Sequence, residues 1–534
     1  MEPPERPRMV FFGAQAGDEV AREEFGNKAS NLARMAAMGI PVPPGFSLGV
    51  SVCEEFHRNR GRLPADVPVL LGKGIQHLEK ATGLRYGGSR RPLLVSVRSG
   101  APVSMPGLME TILDVGLNRE TVQGLIYMSG NPRFAYDSRR RLLESFGTAV
   151  FGQNPRPYRA LLRRAMEAEE VPDAAELDSA ALRNLAAEYE RLFQASAGRR
   201  FPEEVFEQLG LAAAAVMRSW KGPKVEAFRK LDLLKGARGT AVTVQAMVYG
   251  NMGPRSGAGV MFTRNPSTGE CDMMVDFKSG VQGEDVVSGE SSPSPIPLRE
   301  AMPEVYSELV RHGRRLEEHF RDMQDLEFTI QEGKLYILQS RAGKRTPLAA
   351  LRIAVELVRE GRLQPAEGLA LLGEVDVEKI VIQRSSTGET PLARGEPASP
   401  GVASGALALS AERAQKWAAD RAVILVRETA SPDDIAGLAA SAGLLTARGA
   451  RTSHAAVVAR QMGKVCIVNC GDLGIDIPGR RLRVGEHDLA EGSLLTLDGN
   501  TGNVYSGRTE VIRERPDGLL AVYNSWKGGP ETAP

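Results

Sequence analysis

Gly449-Ala-Arg-Thr-Ser-His-Ala-Ala-Val-Val-Ala-Arg-Gln-Met-Gly463 reads as a strand-to-helix junction closed by a short capped helix. Leu444-Leu-Thr before it reads as the end of a strand, Gly449 as the turn, and Thr452 or Ser453 as the N-cap. The helix is then expected over Ala455 to Met462, with Gly463 closing it. His454 falls in the first helical turn. There the positive dipole end disfavours a protonated imidazole and favours a bound anion, by about 0.3–1 kcal/mol at an exposed site. A neutral imidazole is a nucleophile, and its phosphorylated form is an anion beside exposed backbone N–H groups. Arg448 and Arg451 stand close by, as donors for charge-assisted bonds to phosphoryl oxygens. On spacing alone, a capped helix with an incidental histidine fits equally well.

Working outward, 534 residues exceed what one hydrophobic core can organise, so about two to four domains are expected. Hydrophobic content of 42% and charged content of 25% suit a soluble globular protein. With 67 basic against 66 acidic residues there is no global field to attract nucleic acid or an anionic membrane, so neither partner is expected and any anion site must be local. The 57 glycines suggest many tight turns and close backbone approaches to a ligand. Cys53, Cys271, Cys466 and Cys470 are too scattered for a disulfide framework or zinc site, and the Cys466/Cys470 pair is assigned to strand packing. The first residues, Met-Glu-Pro-Pro-Glu-Arg-Pro-Arg, lack the apolar run of a signal peptide, and no window approaches the ~20 apolar residues of a membrane span. A reduced, cytoplasmic protein is the expectation.

The first third alternates β-rich runs such as Met9-Val-Phe-Phe and Leu93-Leu-Val-Ser-Val with helical stretches such as Asn27 through Met38. Residues of about 115–235 are mostly helix by pattern, as in Ala180 to Gln194. Strands follow from about 240, at Thr240 to Tyr249 and Gly257 to Thr263. A helix near 303–320 leads to Leu326-Glu-Phe-Thr-Ile and Lys334-Leu-Tyr-Ile-Leu-Gln, joined by the hairpin signal Gln331-Glu-Gly. Helices at Leu348 to Glu360 and Pro365 to Leu372 precede a polar stretch from Gln383, read as a linker. Gly395 to about Gly507 reads as one unit of short strands and helices, and 508–534 as a polar tail with a mobile end. His57, His77, His312, His319 and His487 have no setting like that of His454 and read as surface or structural residues.

Thr452-Ser-His-Ala-Ala-Val-Val-Ala-Arg, preceded by Gly449, resembles the phosphohistidine motif of the phosphoenolpyruvate-utilising enzymes, in the Thr-Ser-His form of the pyruvate, phosphate dikinases. The same family's ATP domain is matched by Lys28 in Gly26-Asn-Lys-Ala-Ser-Asn-Leu, by Ser96-Val-Arg-Ser-Gly-Ala, by Ser104-Met-Pro-Gly-Leu-Met-Glu-Thr-Ile-Leu and by Asn131-Pro-Arg-Phe-Ala-Tyr-Asp-Ser-Arg. Phe262-Thr-Arg-Asn-Pro-Ser-Thr-Gly-Glu, Gln282-Gly-Glu-Asp-Val-Val, Asp322-Met-Gln-Asp-Leu-Glu-Phe-Thr-Ile and Leu338-Gln-Ser-Arg continue it in the family's order, from about residue 10 to about 507.

The resemblance implies an α/β and α+β multidomain fold. An ATP-grasp-type nucleotide-binding domain would occupy 1–342 with its helical insert, a helical linker 343–393, and a swivelling phosphohistidine β/β/α domain 394–507. It implies ATP-dependent phosphorylation of His454, with inorganic phosphate as co-substrate and Mg²⁺ as cofactor, and with Arg98 and Arg341 acting at the reacting phosphates. Lys28 and Arg98 are cations suited to polyphosphate oxygens. Asp325 and Glu327 alternate on a strand and so share a face, and Gln339 on the next strand can join them as a hard oxygen site for Mg²⁺. An acidic pair on a strand, taken by itself, reads first as a solvated face, and it is the resemblance that favours the metal site. Arg341 is implied to face the nucleotide. Arg133, Arg141, Glu284 and Asp285 are secondary candidates for phosphate binding or for docking of the histidine domain.

Two departures from the family pattern stand out. Where the family carries Gly-Gly before Met-Thr-Ser-His, this chain has Gly449-Ala450-Arg451, a mild change unless residue 450 needs φ > 0. The family's long barrel for phosphoenolpyruvate and pyruvate is also missing from the sequence, and the tail after Tyr505-Ser-Gly reads as a native ending. Three readings follow: a split dikinase completed by a separate barrel-bearing chain, a phosphohistidine carrier to another acceptor, or an idle regulatory ATP-binding module. Thr452 matches a threonine that a regulatory kinase modifies in some dikinases, where a phosphate would add about −1.5 to −2 charges beside the histidine.

Overall fold

The structure, a computed structural model, describes residues 7–13, 20–101, 111–222, 225–226, 229, 237–288, 294, 296–386, 389–430 and 434–527, without the side chains of Glu284, Val287, Ser288 and His454. It is a mixed α/β protein with several sheets. Contacts divide the chain into two compact units, one of Met1–Ser256 with Thr329–Ser340, the other of Gly257–Phe328 with Arg341–Pro534.

The first unit is built on an antiparallel five-stranded sheet in the order Met9–Phe12, Gly45–Leu48, Ala241–Ala246, Val95–Gly100, Thr111–Val115. The helix expected from Asn27 starts earlier, spanning Arg22–Ala37, with a break at Gly26. Gly26 has φ +74°, and a Cβ there would meet the Gly100 carbonyl oxygen at 2.0 Å, so only glycine fits. That close approach lets the Asn27 N–H donate to the Ala101 carbonyl at 3.2 Å. The backbone just before Lys28 is thereby fastened to the end of the strand that carries Arg98. The helical insert comprises Arg119–Ser129, Pro132–Phe151, Arg156–Ala168, Ser179–Ala197 and Val205–Ser219. Asn118, Asn131 and Asp178 cap three of these helices, and their apolar faces share the sheet's core through Phe134, Phe146, Tyr189 and Phe193. The Gln331-Glu-Gly turn holds Glu332 and Gly333 both at positive φ, as a tight hairpin requires.

A four-stranded sheet runs in the order Lys334–Ala342, Gln324–Gln331, Gly257–Phe262, Met274–Ser279, and its last two strands belong wholly to the second unit. Arg264, 0% exposed, follows the Gly257–Phe262 strand and donates to Glu317, Glu356 and Glu360. Burial lowers its pKa, but Glu317 and Glu360 more than reverse this, so it stays charged and ties the strand end to helices Pro303–Phe320 and Pro347–Arg359.

The same unit holds an eight-stranded sheet in the order Ala393–Arg394, Asn503–Ser506, Leu494–Asp498, Val402–Ala408, Val423–Arg427, Gly443–Thr446, Val465–Val468, Glu396–Ser399. Its four strands from Val402–Ala408 to Val465–Val468 are parallel, joined by helices Ala411–Trp417, Ile435–Ala440 and His454–Gln461. Separate apolar cores cover its two faces, which explains the unbroken apolar runs Val423-Ile-Leu-Val and Val465-Cys-Ile-Val. Cys466 and Cys470 pack in these cores, and no cysteine is paired.

Two stretches read as irregular are ordered. Ile382–Ser385, inside the supposed linker, pairs antiparallel with Val511–Glu514 of the supposed tail. The tail continues as a helix, Asp517–Lys527, which packs Leu520, Tyr523 and Trp526 against helices Pro347–Arg359 and Pro365–Leu372. Polar composition hid both, because a two-stranded ribbon exposes most of its side chains and the helix buries only a narrow stripe. Among the described residues no helix is long and apolar enough to cross a membrane.

Replacing Arg264 by Met leaves the Glu317 carboxylate buried without its main cation. The change is expected to cost about 3–5 kcal/mol, read as a lowered urea or thermal midpoint of the second unit; an unchanged midpoint would contradict the structural role.

Candidate functional site

The loop between Gly443–Thr446 and His454–Gln461 is shaped as the sequence suggested. Gly449 turns it at φ +126°, and Ala450, which is buried, is not among the residues with positive φ, so the Gly-to-Ala departure carries no backbone strain. Of the two possible caps, Ser453 is the one used: its hydroxyl accepts from the Ala456 N–H at 3.4 Å. The helix begins at His454, one residue earlier than expected, and Gly463 (φ +63°) follows its end.

Three side chains that the sequence did not single out organise this loop. Asp276, on the strand Met274–Ser279 and 2% exposed, accepts from the Arg451 guanidinium at 3.0 Å and from the Thr452 backbone N–H at 3.1 Å. Glu396 forms a second ion pair with Arg451 at 3.2 Å. Burial lowers the Arg451 pKa, but Asp276 and Glu396 more than reverse this, so the guanidinium stays charged. Arg460, on the histidine's own helix, donates to the Ala398 carbonyl at 2.8 Å and to the Arg451 carbonyl. Asp276 lies some 175 residues from its partners, and Arg460 looks like one more polar helix position, so neither carried a local signal. Arg448 points elsewhere, to an exposed pair with Glu428 at 3.3 Å. The Thr452 side chain is 5% exposed, and its buried hydroxyl has no hydrogen-bond partner among the described residues.

Asp325 and Glu327 share one face of the Gln324–Gln331 strand, and Arg341 spans them, at 2.8 Å from Asp325 and 3.8 Å from Glu327. Burial pushes the Asp325 carboxyl above its ordinary range, and Arg341 only partly offsets this. One Asp325 oxygen, Oδ1, is buried with no hydrogen bond among the described residues. A buried carboxylate with an unfilled oxygen beside a second carboxylate fits a hard cation such as Mg²⁺. Among the described residues no group of three or more Asp, Glu, His or Cys side chains is placed to hold a metal ion.

In the first unit Lys28, Arg98 and Gln339 are half-buried. Arg133 donates to the Leu177 and Ala174 carbonyls and Arg141 to Asp137, while Asp285 accepts from the Gln282 N–H, so each already has a structural partner. The Glu284 side chain, the segment 102–110 and the His454 ring lie outside the described residues. Of the other histidines, His57 meets the Met217 carbonyl at 2.9 Å, His77 stacks on Phe11 and His312 is buried beside Glu308, while His319 and His487 are exposed.

Residues 60–307 and 299–361 match the family model described as pyruvate phosphate dikinase, AMP/ATP-binding domain, and residues 419–502 match the PEP-utilising enzyme, mobile domain. Pyruvate, phosphate dikinase 1, chloroplastic, of Zea mays is 40% identical over 529 residues, covering 98% of this chain and 56% of the relative. The chloroplastic pyruvate, phosphate dikinase of Mesembryanthemum crystallinum is 40% identical over 520 residues, covering 96% of this chain and 55% of the relative. The chain thus spans little more than half the length of these curated relatives.

The raised Asp325 pKa fixes a sign. The folded state holds that proton more tightly than the unfolded state, so its contribution to stability is present at acid pH and is lost as pH rises from the ordinary carboxylate range through the folded value. Asp325→Asn, which keeps an acceptor for Arg341, should therefore gain on the wild type in thermal midpoint between acid and neutral pH. A constant difference between the two proteins across that range would rule the assignment out.

Proposed function

Since the chain belongs to the pyruvate phosphate dikinase family, we propose that it uses ATP and inorganic phosphate to phosphorylate His454, acting as an ATP-dependent phosphotransferase. What supports this most directly is the pairing, in one chain, of the family's ATP-binding domain with its mobile domain, whose histidine opens a helix on a loop held by Asp276. In this reading the nucleotide domain is of ATP-grasp type and the histidine domain swivels. Lys28, Arg98, Gln339 and Arg341 contact nucleotide phosphates, and Asp325 and Glu327 supply metal oxygens. Mg²⁺, when bound there, neutralises charge on the phosphate oxygens. Arg341, already paired with both carboxylates, is the side chain free to exchange a carboxylate oxygen for a phosphate oxygen as the nucleotide arrives.

The balanced steps are two. An imidazole nitrogen of His454 attacks the β-phosphorus of ATP, the bond from that phosphorus to the α–β bridging oxygen breaks, and AMP leaves. An oxygen of inorganic phosphate then attacks the terminal phosphorus of the pyrophosphorylated histidine. The bridging P–O bond breaks, giving pyrophosphate and phospho-His454, and the imidazole proton passes to solvent. The positive end of the helix dipole and the N–H groups of its first turn favour the anionic product. Transfer onward to pyruvate is assigned to a phosphoenolpyruvate/pyruvate barrel on a separate chain, and the setting to a reduced cytoplasm. Phosphorylation of Thr452 belongs to the same reading. With its side chain 5% exposed, a kinase could reach it only after the loop leaves Asp276.

With Mg²⁺, phosphate and ATP labelled at the β position, acid-labile label should collect on the protein, and chelation of the metal or His454→Ala should abolish it. A wild-type protein that binds ATP tightly yet takes no label would sink the proposal and favour an idle ATP-binding module. Adding pyruvate alone should yield no phosphoenolpyruvate, whereas adding a barrel-bearing partner should; formation by this chain alone would refute the two-chain assignment.

A further inference from the structure

Arg460 shares with Arg264 the place of largest fully buried side chain among the described residues, at 1% exposed, and its hydrogen bonds there go to backbone carbonyls, with the Asp325 and Asp276 charges acting on it only at longer range. The guanidinium sits 5.5 Å from the centre of the Phe262 ring. Burial lowers its pKa to about 10. Its Nη1 is buried with no hydrogen-bond partner among the described residues. A leucine or methionine would fill this space without the cost of desolvating a charge and leaving an N–H unfilled. The side chain therefore needs a reason other than packing.

Its two bonds supply one. The Nε donates to Ala398 on the strand Glu396–Ser399, and Nη2 donates to the carbonyl of Arg451. That carbonyl belongs to the same peptide unit as the Thr452 N–H, which donates to Asp276. One peptide plane, two residues before the histidine, is thus gripped at its oxygen by a buried cation and at its hydrogen by a buried anion. The two grips differ in origin. Arg460 and the loop lie on one sheet-and-helix domain, whereas Asp276 comes from the strand Met274–Ser279. If the loop leaves Asp276, Arg460 still holds the carbonyl.

Resting on the reading of His454 above, we infer that Arg460 is the positioning residue for histidine phosphorylation: it fixes the Arg451–Thr452 peptide plane and so presents His454 in one orientation whether or not Asp276 is engaged. Arg460 does not touch the reacting atoms; it acts through the loop. A charge is used because only a guanidinium offers donors in a rigid fork that can reach two carbonyls on different elements at once.

The test uses the full chain with Arg460→Met, which keeps the apolar volume, and Arg460→Lys, which keeps the charge but cannot span both carbonyls. Two readouts are taken: single-turnover labelling of His454 at saturating Mg·ATP, with ATP affinity measured alongside, and hydrogen exchange of the peptide covering 447–455. Both variants should label roughly 100-fold more slowly, the scale of loss expected from a small misplacement of a reacting group, with ATP affinity unchanged. Exchange should rise in 447–455 and nowhere else, and added guanidinium ion should restore part of the rate in Arg460→Met. Wild-type labelling rates in both variants, or unchanged exchange in 447–455, would overturn the inference. If Arg460→Met does not fold, Arg460→Lys decides on the same two readouts. A wild-type chain that takes no label defeats the reading of His454, while the exchange measurement still judges Arg460.

Discussion

A parallel sheet covered on both faces can offer a substrate only its edges and the ends of its strands. In the second unit that constraint places the histidine. The four parallel strands from Val402–Ala408 to Val465–Val468 are buried above and below, so the loops that leave them are the places where backbone N–H groups and charged side chains can meet an anion. The loop after Gly443–Thr446 is one of these, and it runs directly into the helix that His454 opens. The dipole argument for a phosphorylated histidine depends on this packing, because the same eight-residue helix would be marginal alone.

The buried charges of this unit divide into two kinds. Arg264 is surrounded by carboxylates, and its network of Glu317, Glu356 and Glu360 behaves as a structural rivet between a strand end and two helices. Arg341 and Arg451 are each shared between two carboxylates, an arrangement that lets a guanidinium exchange one oxygen partner for another at modest cost. Among the described residues Arg460 hydrogen-bonds to carbonyl oxygens and lies against an aromatic face, with Asp325 and Asp276 acting on it at longer range. Buried ion pairs are poor devices for stability and better ones for orientation, and the concentration of such groups around one loop and one carboxylate pair accords with a site where phosphate oxygens come and go.

Much of the site could be read from the chain. The turn at Gly449, the helix after Ser453, the hairpin at Glu332-Gly333 and the shared face of Asp325 and Glu327 all follow from residue type and period, since each is decided by contacts within a few positions. The ordered tail was missed, because a ribbon strand and a helix with a narrow apolar stripe carry little pattern of their own. Asp276 and Glu396 were missed for a different reason: one acidic residue among 66 is anonymous until folding sets it against Arg451.

The sequence by itself determined the local grammar of this protein: which glycines turn the chain (Gly449 and Gly333), where the histidine's helix is capped, which strand residues share a face, and the order of family motifs that ends in Thr452-Ser-His. Steric limits on φ and the periods of helix and strand act over a few residues, so they are written in the residues themselves. Only the tertiary structure decided who partners whom. It set Asp276 and Arg460 on opposite sides of one peptide, gave Arg341 to two carboxylates, and left Asp325 Oδ1 without a hydrogen bond among the described residues. Electrostatic partners in a folded chain are chosen by distance and by exclusion of water, and neither quantity exists until the strands have met.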